Sequence, residues 1–519
     1  MALASAAACT GEDQPLDGSM EVTMAATEAE TVPASSESST VLLPVGTDPT
    51  ISFSLSFGVG SQDDPPGKEG LAYITAKMLD DASTENRRYE AILEALYPIA
   101  SSYGVRVDRE VTTLIGRTHR DNIDLFFELY SDAYLRPAFD SDDFQRIRSD
   151  AVNYLENQLR FSSDEELGKA ALYEFVFSGT PYAHPAVGTV EGLQSITLDD
   201  VRSFYRSHYQ RWNATPGLGG GFDDELRERF QASLAGLPEV TPGDYVAVDP
   251  AIEPPALTGR EVLLVSKPGA DASISFGFPI DLSRGERDFY ALWVANSWLG
   301  EHRNQASRLF EVIREVRGLN YGDYSYIEAF PDGGRLTMPP VNVPRRHQLF
   351  EVWIRTLPNH QAHFALRTAI RELEDLVDNG LTQEEFDLTR SFLTKYILHF
   401  AVNTSQRLGY AMDDRFYGIG GEGHLARFAQ MLQELTLEDV NAAIREHLQY
   451  ENLKIAIVTG DAEGLSAALA ADAESSIEYA QEMPEAVLAE DEEISRLPLG
   501  ISEDRINTVP VESMFQGGD

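Results

Sequence analysis

The sequence predicts an α+β fold in which one unit of strands and helices occurs twice. A stretch with the pattern of a helix, a turn and a strand recurs with every matched residue 239 positions further on (436 minus 197, for example). The matched pairs are Thr197 and Thr436, Val201 and Val440, His208 and His447, Asn213 and Asn452, and Gly221 and Gly460. A repeat of this length without a gap indicates a duplicated domain.

Each unit is predicted to begin with strands and to continue mainly with helices. Residues 51–57 (ISFSLSF) alternate as in a half-buried strand, and residues 274–278 (ISFGF) echo them in the second unit. Apolar periodicity then predicts helices over 70–81, 88–101, 121–135, 141–161 and 165–178, with a strand over 105–117. The expected architecture is a duplicated mixed sheet with helices packed on it.

Composition shifts divide the chain into five segments. We expect a truncated signal-like segment and a disordered, acidic Ser/Thr tether over residues 1–40, because this stretch has too few large apolar residues to form a core. The two domains should occupy residues 41–237 and 260–471, joined by a Pro-rich linker over 238–259. An acidic tail follows over 472–519, in which residues 506–511 have the pattern of a returning edge strand.

The charge and the apolar content limit the classes of partner. The chain has 519 residues, is 43% hydrophobic and carries a net charge of -43, so it can bury large cores but repels polyanions. Nucleic acid is therefore not expected as a partner. No run of about 18 apolar residues occurs, so no membrane-spanning helix is predicted.

The single cysteine, Cys9, excludes an internal disulfide framework and a cysteine-based zinc site. The residues before it, LASAAAC, resemble the end of a bacterial lipoprotein signal, in which the cysteine becomes lipidated. A complete signal has a basic region and a longer apolar core upstream. The resemblance implies an exported, periplasmic lipoprotein of the cell envelope, with membrane attachment only through an anchor at Cys9.

Residues 307–326 (SRLFEVIREVRGLNYGDYSY) combine a helix and a strand that meet at a glycine. Leu309, Ile313 and Val316 form an apolar stripe, and Gly318 has the position of a left-handed helix stop. Arg314 near the helix end and Tyr321 at the strand start are then expected to present a guanidinium and a phenol to one surface. The alternative is an ordinary amphipathic helix with a solvated arginine.

Several motifs in the expected order resemble the insulinase/pitrilysin-like zinc metallopeptidases and the related mitochondrial processing peptidase. They are VGSQDDPPGKEGLAYITAKML, GRTHRDNIDLFFELYSDAYLRPAF, the 307–326 stretch and LTLEDV, and the resemblance covers about residues 41–471. It implies two homologous metallopeptidase-like domains that form a clamshell. It also implies that substrates bind as extended peptides along a sheet edge.

The zinc signature of that family, His-x-x-Glu-His on a helix with a distal glutamate, is degenerate here. The matching helix has Tyr73, Ala76 and Lys77 in place of the two histidines and the general base, and only Glu156 matches the distal ligand. These residues imply that the chain holds no cofactor of its own and that zinc belongs to a partner subunit. His360 and His363 have a two-residue spacing but no evident acidic partner.

The resemblance implies a role for Arg314 and Tyr321, which match an Arg and a Tyr that bind the substrate carbonyl and the oxyanion in active relatives. Three functions remain open. The chain is a zinc-less subunit that lends this pair to a homologous zinc-bearing peptidase, a peptide-binding or scaffold protein without catalysis, or a hydrolase that uses another site. The related core subunits of a respiratory complex are an example of the second.

The degenerate motif also raises the question of what replaces the metal. Lys77 lies one helical turn after Tyr73, so we expect its ammonium to form a salt bridge with Glu156, with the Tyr73 hydroxyl as a further donor. An unpaired, partly buried carboxylate would otherwise be costly. The alternative is that Lys77 extends into solvent and Glu156 is exposed.

Overall fold

The computed structural model describes residues 40–239, 254–331, 333–479 and 482–518. We call residues 40–239 the first half and the described residues from 254 onward the second half. Cys9 and most of the expected tether and linker lie outside the described residues. Within them, no helix is both long enough and apolar enough to cross a lipid bilayer.

The first half contains five strands and eight α-helices. The strands are β1 (Val41–Pro44), β2 (Thr50–Phe57), β3 (Ser102–Val107), β4 (Thr112–His119) and β5 (Ala214–Gly220). The helices are α1 (Leu71–Asp80), α2 (Tyr89–Leu96), α3 (Ile123–Leu135), α4 (Ser141–Asn153), α5 (Asp164–Val176), α6 (Val190–Ser195), α7 (Leu198–His208) and α8 (Asp224–Ser233). A π-helix, Tyr154–Leu159, extends α4.

The described part of the second half contains six strands and eight α-helices. The strands are β6 (Glu261–Ser266), β7 (Ala272–Ile280), β8 (Asp323–Tyr326), β9 (Gln348–Leu357), β10 (Lys454–Thr459) and β11 (Ile506–Pro510). The helices are α9 (Arg287–Gly300), α10 (Ala362–Asn379), α11 (Gln383–Tyr396), α12 (Thr404–Tyr417), α13 (His424–Glu434), α14 (Leu437–His447), α15 (Ala462–Ala470) and α16 (Glu485–Ser495). A second π-helix spans Phe310–Glu315.

The two sheets have matching topologies, which confirms the predicted α+β fold with a duplicated mixed sheet. The first sheet has the strand order β1-β5-β2-β4-β3, and the second has the order β11-β6-β10-β7-β9-β8. Each contains a parallel pair, β1 with β5 and β6 with β10, next to antiparallel strands. Strand β11 adds an outer parallel partner to β6, as the sequence pattern of residues 506–511 predicts.

The repeated sequence stretch forms the same local structure twice. Thr197 and Thr436 are the N-caps of α7 and α14, and each forms a capping box with the aspartate three residues later. In each box the threonine hydroxyl accepts the aspartate N–H at 3.2 Å and the aspartate accepts the threonine N–H at 2.9 Å. Because these bonds satisfy helix-end donors locally, the repeat is visible in the sequence.

Two sequence-based predictions about the first sheet were wrong. Residues 105–117 form a hairpin of β3 and β4 and not one strand, because Asp108 and Glu110 in the turn bind Arg345 and Arg346 of the second half. Strand β2 is buried on both faces and is not half-buried. Helix α12 of the second half covers the face that was expected to meet solvent.

Each half supplies a helix that packs on the sheet of the other half. Helix α12 packs on β1, β2 and β5, and helix α5 packs on β7 and β10. At the first contact the hydroxyls of Ser52 and Ser405 are 2.7 Å apart. At the second, the buried Lys169 ammonium on α5 lies 2.9 Å from a carboxylate oxygen of Glu351 on β9. The two halves therefore share one interface formed from both sheets.

Glycines in β5 allow the close approach of α12. A Cβ atom at Gly217 would lie 2.6 Å from the Met412 sulfur, and one at Gly219 would lie 3.0 Å from a Thr404 methyl carbon. The glycines at 217 and 219 thus create the flat surface of the strand on which α12 lies.

We predict that Gly217→Val lowers the free energy of unfolding by about 1–3 kcal/mol, because the added methyl groups overpack the contact with Met412. Gly46→Ala is the matched control, since a Cβ there would meet no atom within 4 Å. Urea denaturation of both variants measures the difference. Equal midpoints for the two variants would contradict this account of the interface.

Candidate functional site

The helix that carries the degenerate motif, α1, is fixed at both ends by aspartates. At its start, Asp64 accepts the backbone N–H groups of Gly70 and Ala72, both at 2.7 Å. Asp64 is fully buried, and this burial raises the pKa of its carboxyl group well above the usual range. At its end, Asp80 accepts the N–H of Val105 in the edge strand β3 at 3.0 Å.

Lys77 pairs with residues of its own helix and not with Glu156. Its ammonium lies 3.0 Å from Asp80 and 3.9 Å from Asp81, at the i,i+3 and i,i+4 positions. The predicted salt bridge between Lys77 and Glu156 was therefore wrong. Pairing of Lys77 with the aspartates is favoured over pairing with Glu156 because the aspartates lie one turn away at the end of the same helix. No distant element has to be ordered for this contact. Their positions directly after the motif were the signal that sequence reasoning missed.

The remaining motif residues do not come together as a ligand set. Ala76 is fully buried in the core, and Tyr73 is half-buried, where burial and the nearby Asp80 and Asp81 raise the pKa of its phenol to about 12. Glu156 is half-buried in the π-helix Tyr154–Leu159. The described residues contain no group of three His, Cys, Asp or Glu side chains placed to hold a metal ion.

These residues do not fit a catalytic zinc site. A phenol, a methyl group and an ammonium stand at the three motif positions, and the ammonium is already bound to Asp80. Zinc in proteins requires deprotonated sulfur, imidazole or carboxylate ligands, usually three of them in a catalytic site. The site therefore offers one carboxylate, Glu156, and no general base.

A cavity of about 450 Å³ lies where the end of α1 faces α2 and β3. Its lining includes Lys77, Asp80, Asp81, Tyr89, Tyr97 and Tyr103. Asp80 is buried, which raises its pKa, while the Lys77 ammonium opposes this shift. The second carboxylate oxygen of Asp80, Oδ1, is buried and makes no hydrogen bond. Of the four motif positions, only Lys77 lines this cavity, where it is paired with Asp80 beside the edge strand β3.

Arg314 lies in the π-helix Phe310–Glu315, near the surface of the second half. The side chain is 37% exposed, its guanidinium carbon lies 5.3 Å from the centre of the Phe310 ring, and it forms an ion pair with Glu315. The Val316 N–H donates to the Glu311 carbonyl five residues earlier, which is the wide turn of a π-helix. Such turns occur frequently at functional sites.

Tyr321 is 80% exposed and makes no hydrogen bond or ring contact with any described residue. It follows Gly318, whose φ of 67° confirms the predicted left-handed stop, and it precedes β8 by two residues. Arg314 and Tyr321 thus lie on the two sides of one helix-to-strand connection. They do not bond to each other.

Arg317, three residues after Arg314, is buried, since only 1% of its side chain is exposed. The wide turn of the π-helix adds a residue and so rotates the following positions, which directs Arg317 toward the protein interior. There it binds Asp491 at 2.8 Å and Glu490 at 2.7 Å on α16. Apolar periodicity at 3.6 residues per turn does not reveal this arrangement.

The family follows from comparison with known protein domains. The model of the insulinase family (peptidase family M16) matches residues 40–190, and the model of the peptidase M16 inactive domain matches residues 195–393. The chain belongs to the insulinase family. It is an insulinase-family peptidase homologue whose metal motif is degenerate.

Some relatives of this insulinase-family chain are named zinc proteases, and one is named a non-peptidase homolog. An uncharacterized zinc protease of Streptomyces coelicolor is 25% identical over 348 residues, which cover 64% of this chain and 68% of that protein. A non-peptidase homolog of Helicobacter pylori is 23% identical over 434 residues, which cover 80% and 90%. A peptidase M16 inactive domain from Pseudomonas fluorescens shares the fold, with a TM-score of 0.69, 23% identity and coverage of 80% and 94%.

We predict that Lys77→Ala destabilises the protein by about 2 kcal/mol at neutral pH, because it leaves the buried Asp80 carboxylate without its cation. Loss of Lys77 should raise the pKa of Asp80 further. A carboxyl group whose pKa in the folded protein exceeds its unfolded value of about 4 destabilises the protein as pH rises from the unfolded pKa to the folded pKa. The difference in the free energy of unfolding between Lys77→Ala and the wild type should therefore be small below about pH 4 and should grow toward pH 7.

Denaturant unfolding of Lys77→Ala across this pH range measures the effect. Glu156→Ala is the matched control and should change stability by less than about 0.5 kcal/mol, as a partly exposed residue without an ion pair. The double variant Lys77→Ala/Asp80→Asn should regain most of the loss. If Glu156→Ala proves as harmful as Lys77→Ala, the assigned pairing is incorrect.

Proposed function

We propose that this chain is the zinc-less subunit of a heterodimeric insulinase-family metallopeptidase. The observation that carries the proposal is the contrast between its two motif regions. At the motif positions Lys77 forms an internal ion pair with Asp80, whereas Arg314 is partly exposed beside Glu315 and Tyr321 is 80% exposed. A largely exposed tyrosine that makes no hydrogen bond or ring contact with the described part of its own chain is well placed to contact a second chain.

In the proposed complex, a homologous subunit supplies the zinc, its ligands and the general base. Arg314 and Tyr321 donate hydrogen bonds to the carbonyl oxygen of an extended peptide, on which negative charge develops during hydrolysis. Each such donor contributes about 3 kcal/mol to transition-state binding. In β3 of this chain the Val105 N–H is already taken by Asp80, so we infer that the scissile part of the peptide pairs with the sheet edge of the partner.

A second candidate function is that of a peptide-binding or scaffold protein without catalysis. The Helicobacter pylori relative named a non-peptidase homolog favours it. Both candidates include a location in the cell envelope, where lipidation of Cys9 would anchor the protein. Co-purification with a homologue from the same genome that carries His-x-x-Glu-His, followed by peptidase assays of each chain and of the mixture, separates the two. Activity that appears only in the mixture supports the heterodimer.

We predict that the isolated chain, stripped of metal and then supplied with zinc, hydrolyses no peptide. Tyr73, Ala76 and Lys77 provide neither ligands nor a base, and Lys77→His alone should not restore activity because Ala76 remains. Assays with a mixture of fluorogenic peptides test this. Zinc-dependent turnover that persists after removal of contaminating proteases would contradict the prediction.

We predict that Arg314→Ala and Tyr321→Phe each lower kcat of the reconstituted pair by roughly 100-fold, the usual effect of removing one oxyanion donor. Neither change should alter the unfolding midpoint, since both side chains are solvated. Arg303→Ala, another partly exposed arginine of the same half, serves as the control for a general loss of positive charge. Unchanged activity in both variants would favour the scaffold function.

A further inference from the structure

The C-terminal segment, by which we mean the described residues between 472 and 518, contacts both regions that carry the family motifs. It leaves α15, forms α16, returns to the second sheet as β11 and ends against the first half. It lies beyond residue 393, where the match to the family models ends. Its contacts are therefore features of this chain that neither family model describes.

The first contact is to the connection that carries Arg314 and Tyr321. The buried guanidinium of Arg317 donates from Nε to Asp491 Oδ1 at 2.8 Å, from Nη2 to Glu490 Oε2 at 2.7 Å and from Nη1 to the Val312 carbonyl at 2.8 Å. One side chain thus joins the π-helix to α16. Arg317 is the last residue before the left-handed Gly318, so it fixes the point at which the helix ends.

The two carboxylates on α16 are fully engaged. Glu490 also binds Arg371 of α10 at 2.8 Å through its second oxygen, and Asp491 accepts the Tyr479 hydroxyl at 2.6 Å through its own. Every carboxylate oxygen of the pair therefore has a donor. Charge-assisted hydrogen bonds are about twice as strong as neutral ones, so this partly buried network is a firm support.

The second contact is to the π-helix that carries Glu156. Arg160 follows this helix directly, and its Nε donates to the Met514 carbonyl at 2.9 Å. Met514 and Phe515 are buried in the core of the first half, and the Val190 N–H donates to the Phe515 carbonyl at 3.0 Å. The end of the segment is thereby held in the first half while α16 is held in the second.

We propose that the C-terminal segment positions the Arg314 and Tyr321 pair, with Arg317 as the positioning residue. Between Gly318 and β8, Asn320 and Gly322 are hydrogen-bonded to Arg355 of β9, whereas the Tyr321 side chain makes no hydrogen bond or ring contact with any described residue. The preceding π-helix carries Arg314, so the position of Arg314 relative to Tyr321 depends on how that helix is anchored. Asp491 and Glu490 provide that anchor at its C-terminal end. The consequence for catalysis rests on the proposed function, whereas the ordering of the connection does not.

The test is the double variant Glu490→Gln/Asp491→Asn in the full chain, which keeps the side-chain sizes and removes both charges. The matched control is Glu492→Gln/Glu493→Gln on the same helix, where both side chains are exposed. Amide hydrogen exchange is followed in peptides that cover residues 307–322 and, as a reference, residues 123–135 of α3. The expected result is exchange at least tenfold faster over 307–322, with no change over 123–135 or in the control.

The second readout is the peptidase activity of the variant with the zinc-bearing homologue. We expect kcat to fall about tenfold with KM unchanged, because the donors are misplaced but the peptide still binds the partner. Arg317→Lys, which keeps the charge and loses the paired geometry, should lie between the wild type and the double variant. A purely structural role would instead lower the unfolding midpoint and speed exchange in both regions.

The proposal is overturned if exchange over 307–322 matches that of the control, or if exchange rises equally in α3. The proposal is also overturned if the double variant keeps the kcat of the wild type while Arg314→Ala abolishes activity. If Arg314→Ala itself has no effect on kcat, the proposed function fails. In that case the exchange measurement alone decides whether the segment orders this connection.

Discussion

The exchange of helices between the halves is the constraint on which the rest of the structure depends. Helix α12 packs on β1, β2 and β5 of the first sheet and α5 packs on β7 and β10 of the second, so β2, β5, β7 and β10 lack the solvated face that an isolated antiparallel sheet would show. This arrangement explains the glycines of β5 and the buried Lys169. Because each half completes the core of the other, both motif regions are carried on one continuous body.

The charged residues at the end of α1 form a local ion-pair cluster. Loss of a cation would leave negative charge near the end of α1, yet Lys77 supplies a positive charge that binds two neighbouring aspartates. The same Asp80 binds the edge strand β3, which links the helix to the sheet without a metal. Contacts of Asp64 and Asp80 thus hold both ends of α1 in place within the first half.

Two π-helices occur in the described residues, and they carry Glu156 and Arg314, two of the three residues outside α1 to which the sequence resemblance assigns a site role. The extra residue in each wide turn changes which side chains face outward. It leaves Arg314 at the surface and buries Arg317, and Arg160 is buried directly after the first π-helix. The C-terminal segment binds both buried arginines, so the two motif regions are supported by one piece of chain.

The sequence by itself determined the duplication, the α+β class and the family, because these depend on residue identity and on local patterns such as the Thr197 and Thr436 capping boxes. It also predicted the Gly318 stop, which needs only a left-handed residue. The partner of Lys77, the burial of Arg317 and the two buried faces of β2 were decided by the tertiary structure. These features depend on which distant element packs against the residue or on a change of helical period. The spacing of nearby residues in the sequence encodes neither of these two causes.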